Sequence, residues 1–177
     1  SSDVCSSDLD ITINTLLSAQ ASGDNSADAT ITFSSDTAVT LTTGADLDVI
    51  ASGENSTAEI ELNGSTTFNS ADVFTITASG ASSDADLYIA NASGDVNTIS
   101  VTASSSDATA EVNIDAGNIA INTDLNVTTS NNAALASFEA SADVTLGGNV
   151  TITAGADNSE AEVTLDGSTT FNNAGTF

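Results

Sequence analysis

Short runs of alternating apolar and polar residues recur along the chain, separated by clusters of Gly, Ser, Asn and Asp. Residues 111–115 and 150–154 are clear examples, with an apolar side chain at every second position. A period of two is typical of a β-strand with one buried face, and Thr, Val and Ile favour that conformation. No stretch keeps the 3.6-residue period of a helix, so the pattern predicts an all-β fold.

The apolar pairs return at a nearly constant spacing of about 25–27 residues, which indicates an internal repeat. One series, strand A, contains Leu47/Val49, Phe74/Ile76, Ile99/Val101, Leu125/Val127 and Val150/Ile152. A second series, strand B, contains Ile31/Phe33, Ile60/Leu62, Leu87/Ile89, Val112/Ile114, Phe138/Ala140 and Val163/Leu165. A third and less regular series, strand C, skips the repeat around residues 91–96 and contains Val39/Leu41, Thr66/Phe68, Ile119/Ile121, Val144/Leu146 and Thr169/Phe171.

Three short strands per repeat predict a parallel β-helix, or β-solenoid, with one repeat per coil. Each strand then pairs with its equivalent one coil later, at about 4.8 Å, and the inward side chains stack into apolar ladders. A right-handed helix is the default for parallel connections. The alternative is a pair of tandem immunoglobulin-like sandwiches, because residues 61–69 and 164–172 are nearly identical and lie about 100 residues apart, the size of one such domain. The finer spacing favours the solenoid.

Ala21, Ala51, Ala78, Ala103 and Ala154 end strand A just before a turn, where a small side chain fits a tight corner. Gly23, Gly53, Gly80 and Gly155 follow them, and we expect these glycines to give the corner its backbone freedom.

Residues 1–9, Ser-Ser-Asp-Val-Cys-Ser-Ser-Asp-Leu, resemble the translation of a common sequencing adapter, and we interpret them as an artefactual leader. Cys5 belongs to this leader and is the only cysteine, so no disulfide framework is expected. Residues 10–177 are predicted to be a β-solenoid fragment of about six coils, uncapped at both ends, in which neighbouring repeats are each other's partners.

The charge balance excludes several classes of function. The chain has 25 Asp and Glu but no Lys, Arg or His, which gives a formal net charge of -25. Without a basic side chain to meet phosphate, we expect no nucleic-acid partner. No apolar run approaches the roughly 18 residues of a transmembrane helix, so we expect no membrane insertion in this segment. The usual general bases and amine nucleophiles are missing, so we do not expect an enzyme.

Alternation also places outward side chains in columns along the solenoid. An acidic column contains Glu59, Asp86, Glu111 and Glu162, and these are the candidate ligands for Ca²⁺, which accepts oxygen ligands in a loose geometry. The alternative is a solvated acidic face that needs only salt screening.

A hydroxyl-rich face on strand A contains Thr75, Thr77, Thr102, Thr128, Thr151 and Thr153. Such an array resembles the faces of ice-binding solenoids and is also suited to docking a glycan. The alternative is that Thr is simply a favoured outward residue of strands.

Residues 143–155, Asp-Val-Thr-Leu-Gly-Gly-Asn-Val-Thr-Ile-Thr-Ala-Gly, resemble the repeats of filamentous-haemagglutinin-like adhesins and related large repetitive surface proteins, and residues 72–80 are a looser copy. The resemblance implies a right-handed β-helix that serves as an extracellular or cell-surface stalk without catalytic residues. We therefore expect a structural stalk segment of a bacterial adhesin, with Ca²⁺ as a candidate stabilising ion and a glycan or host cell surface as a candidate partner. The alternative function is an ice- or glycan-binding solenoid that uses the threonine-rich face.

Overall fold

The computed structural model describes residues 9–23 and 26–172, and all regular secondary structure within them is β-strand. The strands are β1 (Leu9–Ile13), β2 (Leu16–Ala21), β3 (Asp28–Phe33), β4 (Thr37–Leu41), β5 (Asp46–Ala51), β6 (Thr57–Ala78), β7 (Asp84–Ala103), β8 (Thr109–Ile114), β9 (Gly117–Thr129), β10 (Leu135–Ala140), β11 (Asp143–Leu146), β12 (Asn149–Ala154), β13 (Glu160–Leu165) and β14 (Thr169–Phe171). The described part contains no helix with the length and apolar character needed to span a bilayer.

All strand pairs in the described residues are parallel, and each joins equivalent positions of successive coils. Sheet A runs through β2, β5, the ends of β6, β7 and β9, and β12. Sheet B runs through β3, the starts of β6 and β7, β8, β10 and β13. Sheet C runs through β1, β4, the middle of β6 and β7, the start of β9, β11 and β14. The predicted all-β solenoid with three strands in each of about six coils is therefore confirmed, and the alternative of tandem sandwiches is wrong.

The register of sheets A and B is the one that the apolar pairs predict. In sheet A, Leu47, Phe74, Ile99, Leu125 and Val150 are successive Cα partners. In sheet B, the same is true of Ile31, Ile60, Leu87, Val112, Phe138 and Val163. In sheet A, the ladder side chains from Leu47 to Leu125 are buried, and in sheet B those from Ile60 to Val112 are buried too. Together they make one continuous core along the axis.

Sheet C differs from its prediction in the coil that the sequence pattern skips and also in register, because Phe68 stacks through Gly94 on Ile119, whereas the predicted series aligns Phe68 with Ile121. The structure continues the sheet there through Ala92, Gly94 and Val96, with Gly94 paired to Phe68. An irregularity at Ser70, whose φ is 56°, shifts the register between Asn69 and Ala71. Because Gly94 has no side chain, the ladder has no apolar residue at that position, and this hides the strand in the sequence.

The corner glycines were expected to provide backbone freedom, but the structure gives a different reason for them. Gly53 and Gly80 do not adopt a positive φ. A Cβ on Gly80 would lie 2.0 Å from the carbonyl oxygen of Gly53, so the corner needs glycine for close backbone stacking between coils. The left-handed conformation falls instead on Asn55, Ser82, Asp107, Ala133 and Asn158, one residue in each successive turn.

The last described coil leaves part of its inward face open. Ile152, which the alternation places inward, is 50 % exposed because β12 pairs with β9 on one side only. The right-handed sense of the solenoid stays a prediction. Residues 1–8 of the interpreted leader lie outside the described residues, and Leu9 is the first residue of β1.

Candidate functional site

Three polar arrays lie on the outside of the solenoid, and each follows from the stacking register. They are a carboxylate column on sheet B, a series of carboxylates hydrogen-bonded to neutral donors near the corners, and a hydroxyl-rich surface on sheet A.

The carboxylate column contains three of the four predicted metal-ligand candidates in consecutive coils. Glu59 is the Cα partner of Asp86, and Asp86 is the partner of Glu111. The next position is Ser137, which separates Glu111 from Glu162. The structure therefore brings Glu59, Asp86 and Glu111 together and places Glu162 two coils away from them.

Burial and mutual repulsion change the acidity of this column. Burial, followed by the charges of Glu111, Asp84 and Glu59, raises the pKa of Asp86 from 3.8 to about 7. Burial and then the Glu139 charge raise the pKa of Glu111, and burial and then Glu61 raise the pKa of Glu59. No Lys, Arg or His exists in the chain to offset these shifts. The protonated form of Asp86 is therefore favoured to a higher pH than that of an ordinary Asp.

No group of three or more acidic side chains in the described residues is arranged to hold one metal ion. The column offers pairs of carboxylates in adjacent coils, about 4.8 Å apart along the axis. Calcium binding by Glu59, Asp86, Glu111 and Glu162 stays a hypothesis.

A second array lies near the corner between sheets C and A, and the sequence reasoning missed it. Asn97 donates to Asp72 over 3.2 Å, Asn122 donates to Asp95 over 3.1 Å, and Ser70 donates to the same Asp95 oxygen over 3.1 Å. Asn149 donates to Asp124 over 3.0 Å. Each bond joins residues 25 or 27 positions apart, and that spacing was the signal that could have revealed them.

Other carboxylates also receive hydrogen bonds from neighbouring coils. The Val73 amide donates to Asp46 over 3.2 Å, and the Ser168 amide donates to Asp143 over 2.9 Å. The Tyr88 hydroxyl donates to Asp115, and this bond is the largest cause of the raised pKa of Tyr88. Neutral groups thus donate the hydrogen bonds to these carboxylates in a chain that has no Lys, Arg or His.

The third array is the threonine face, which we define as eight outward positions on sheet A from β6 to β12. It consists of Thr75, Ser100, Asn126 and Thr151 in one column and Thr77, Thr102, Thr128 and Thr153 in the next. All six predicted threonines lie in it, in the predicted register. Asp48 and Ile50 occupy the same columns one coil before Thr75 and Thr77, so the hydroxyl-rich surface begins at β6.

A solvent-open groove of about 340 Å³ lies beside the first coils and is lined by Asp10, Ser35, Asp36, Thr37, Ala38 and Ser65. It holds two carboxylates and three hydroxyls, and nothing else about its chemistry distinguishes it.

Comparisons of the chain with protein-family models, with curated proteins and with solved structures find no match. The fold and the three polar arrays are therefore the basis of the functional argument.

Proposed function

We propose that this chain is a structural stalk segment of a large secreted or surface-displayed adhesin. The observation that carries the proposal is the unbroken stack: sheet A keeps one register through every coil from β2 to β12. Such a rod gains about 4.8 Å per coil. Because each coil contacts only its neighbours, length can be added without redesigning the core.

The surface chemistry supports an extended rod in a salty, extracellular medium. A net charge of -25 makes neighbouring rods repel, which protects a long β-structure from lateral aggregation. Because of the same charge, we expect salt to stabilise the fold, since screening reduces the repulsion between stacked carboxylates. Glycans or a host surface are proposed partners of the whole adhesin, at a part other than this repetitive segment.

The proposal includes Ca²⁺ as a bridging ion between coils. Glu59, Asp86 and Glu111 support this element, because they are Cα partners in three consecutive coils, which lie about 4.8 Å apart, and Ca²⁺ accepts oxygen ligands in a loose geometry. Thermal melts in Ca²⁺, in Mg²⁺ and in EDTA at fixed ionic strength test it. A higher midpoint with Ca²⁺ that EDTA reverses supports bridging, and identical midpoints leave a stalk stabilised by screening alone.

Coil insertion tests the stalk function itself. A second copy of residues 109–134 is inserted after Ala134, and the chain is placed between a cell-surface anchor and a labelled tip. We expect the tip to stand about 4.8 Å higher for each added coil. The matched control inserts a Gly/Ser linker of equal length, which adds slack rather than fixed height. A tip height that does not depend on coil number would contradict a stalk.

A further inference from the structure

We propose that the threonine face binds ice. This function goes beyond the stalk and rests on different residues, the eight outward side chains of sheet A between β6 and β12.

The side chains of the threonine face repeat at regular distances. Thr77, Thr102, Thr128 and Thr153 are successive Cα partners, so their hydroxyls repeat at the coil spacing of about 4.8 Å. The column of Thr75, Ser100, Asn126 and Thr151 lies two residues away along each strand, or about 6.7 Å. The result is a two-dimensional array of short polar groups with repeat distances close to the oxygen repeats in hexagonal ice.

The polar side-chain groups of the threonine face are available to a ligand. None of the eight side chains makes a hydrogen bond to another part of the described residues. Side chains near the corner, by contrast, are tied to each other, as Asn97 is to Asp72. Unused hydroxyl groups on a paired backbone keep both a donor and an acceptor for water.

The threonine face is uncharged. The eight positions contain no carboxylate, although the chain has 25 acidic residues. The neighbouring carboxylates are Asp48, the Cα partner of Thr75 one coil earlier, and Asp124, two residues before Asn126, which accepts a hydrogen bond from Asn149. A neutral face on an otherwise anionic rod suits a neutral, extended partner. The strongly hydrated carboxylates lie outside this face.

The side-chain chemistry favours ice over a glycan or a protein. Protein interfaces rely on aromatic and Arg anchors, and the eight positions contain neither. They also lack an aromatic ring on which a sugar could stack. Thr offers a methyl group and a hydroxyl on a stiff side chain, so water can be held in fixed places at little entropic cost. Many weak and evenly spaced contacts are what a crystal of water requires.

The test measures thermal hysteresis and inhibition of ice recrystallisation with the 177-residue chain. We expect activity in the unmodified protein and its loss in Thr102→Tyr and Thr128→Tyr, which put bulk in the middle of the face. Thr102→Val with Thr128→Val removes the hydroxyls and keeps the shape, so it reports on hydrogen bonding even if the bulky variants fold poorly. Thr109→Tyr on the outward side of sheet B is the matched control and should keep full activity.

Circular dichroism melts accompany each variant, so that loss of fold is separated from loss of binding. An unmodified chain without hysteresis or recrystallisation inhibition would overturn the proposal. Equal loss in Thr109→Tyr and Thr102→Tyr would overturn it too, because the face would not be specific. Binding to insoluble cellulose or chitin that Thr102→Tyr abolishes, without any effect on ice, would assign the face to glycans instead.

Discussion

The side-chain amide of Asn97 donates to the carboxylate of Asp72, one coil away, over 3.2 Å. With Asn122 on Asp95 and Asn149 on Asp124, it shows how a chain without basic residues satisfies carboxylates between coils. An amide donor repeated at the coil length joins neighbouring repeats and also fixes their register.

Replacing that donor should destabilise the stack. Asn97→Asp places two carboxylates within hydrogen-bond distance and removes the bond, so we expect a loss of about 1–3 kcal/mol in the free energy of unfolding. Urea denaturation measures it. Asn91→Asp, at an exposed outward position, is the control and should change stability by less than about 0.5 kcal/mol. Equal losses would show that added charge, and not the lost bond, is responsible.

Stability should fall as pH rises through neutrality, opposite to the usual behaviour of acidic groups. The pKa of Asp86 is raised to about 7 in the folded chain, so folding favours its protonated form. This contribution is fully present below the ordinary pKa of 3.8 and is lost as pH passes through about 7. We expect the melting temperature to decrease between pH 5 and pH 8, and this is measured at constant ionic strength.

Asp86→Asn isolates the contribution of that residue. The variant should be more stable than the parent at pH 8 and should show a weaker pH dependence between pH 5 and pH 8. Asp157→Asn, in the exposed turn before β13, keeps the same change in charge and serves as the control. An unchanged pH profile in Asp86→Asn would mean that the carboxylate column does not hold the proton.

Two buried threonines should be replaceable with a gain in stability. The hydroxyls of Thr66 and Thr129 are buried and have no hydrogen-bond partner in the described residues. Thr66→Val or Thr129→Val keeps the shape and removes the desolvation cost, so we expect each to stabilise the chain by about 1–2 kcal/mol. Thr145→Val, at an outward position, should be nearly neutral. Calorimetry checks the order, and a destabilised Thr66→Val would show that the hydroxyl has a partner.

One turn carries backbone strain that a substitution can remove. Ala133 has a φ of 54°, whereas Asn55 and Asn158 occupy the equivalent place in other turns. Asn tolerates the left-handed region better than Ala, so Ala133→Asn should stabilise the fold by about 0.5–1 kcal/mol. Ala116→Asn, in an exposed bend without a positive φ, is the control. No difference between the two variants in chemical denaturation would contradict the strain.

The sequence was sufficient to predict sheets A and B because their ladders are apolar in every coil. Leu47, Phe74 and Ile99 can be aligned by hydropathy alone, and they are Cα partners in the structure. Sheet C could not be predicted completely, because Gly94 occupies the ladder position next to Phe68 and gives no hydropathy signal. The bulge at Ser70 depends on backbone conformation, which composition does not reveal.

Two of the three polar arrays could be predicted from the sequence, and the third was missed. Outward positions follow directly from alternation, so the threonine face and the Glu59–Asp86–Glu111 column could be placed. The repeat spacing makes Asp72 and Asn97 candidate partners, but the bulge before Asp72 sets their final register, and the exposure of Ile152 depends on which coil covers it. These features need coordinates of more than one coil.

In the solenoid, the inward side chains are stacked in one core, while their neighbours one residue away along each strand face solvent. Val101 is fully buried and Thr102 lies outward on the same strand, so the pair Val101→Asp and Thr102→Asp tests the claim by thermal unfolding followed by circular dichroism. We predict that Val101→Asp abolishes the cooperative transition, since an unpaired buried carboxylate costs several kcal/mol, and that Thr102→Asp lowers the midpoint only slightly. Similar melting curves for the two variants would contradict the stacked solenoid.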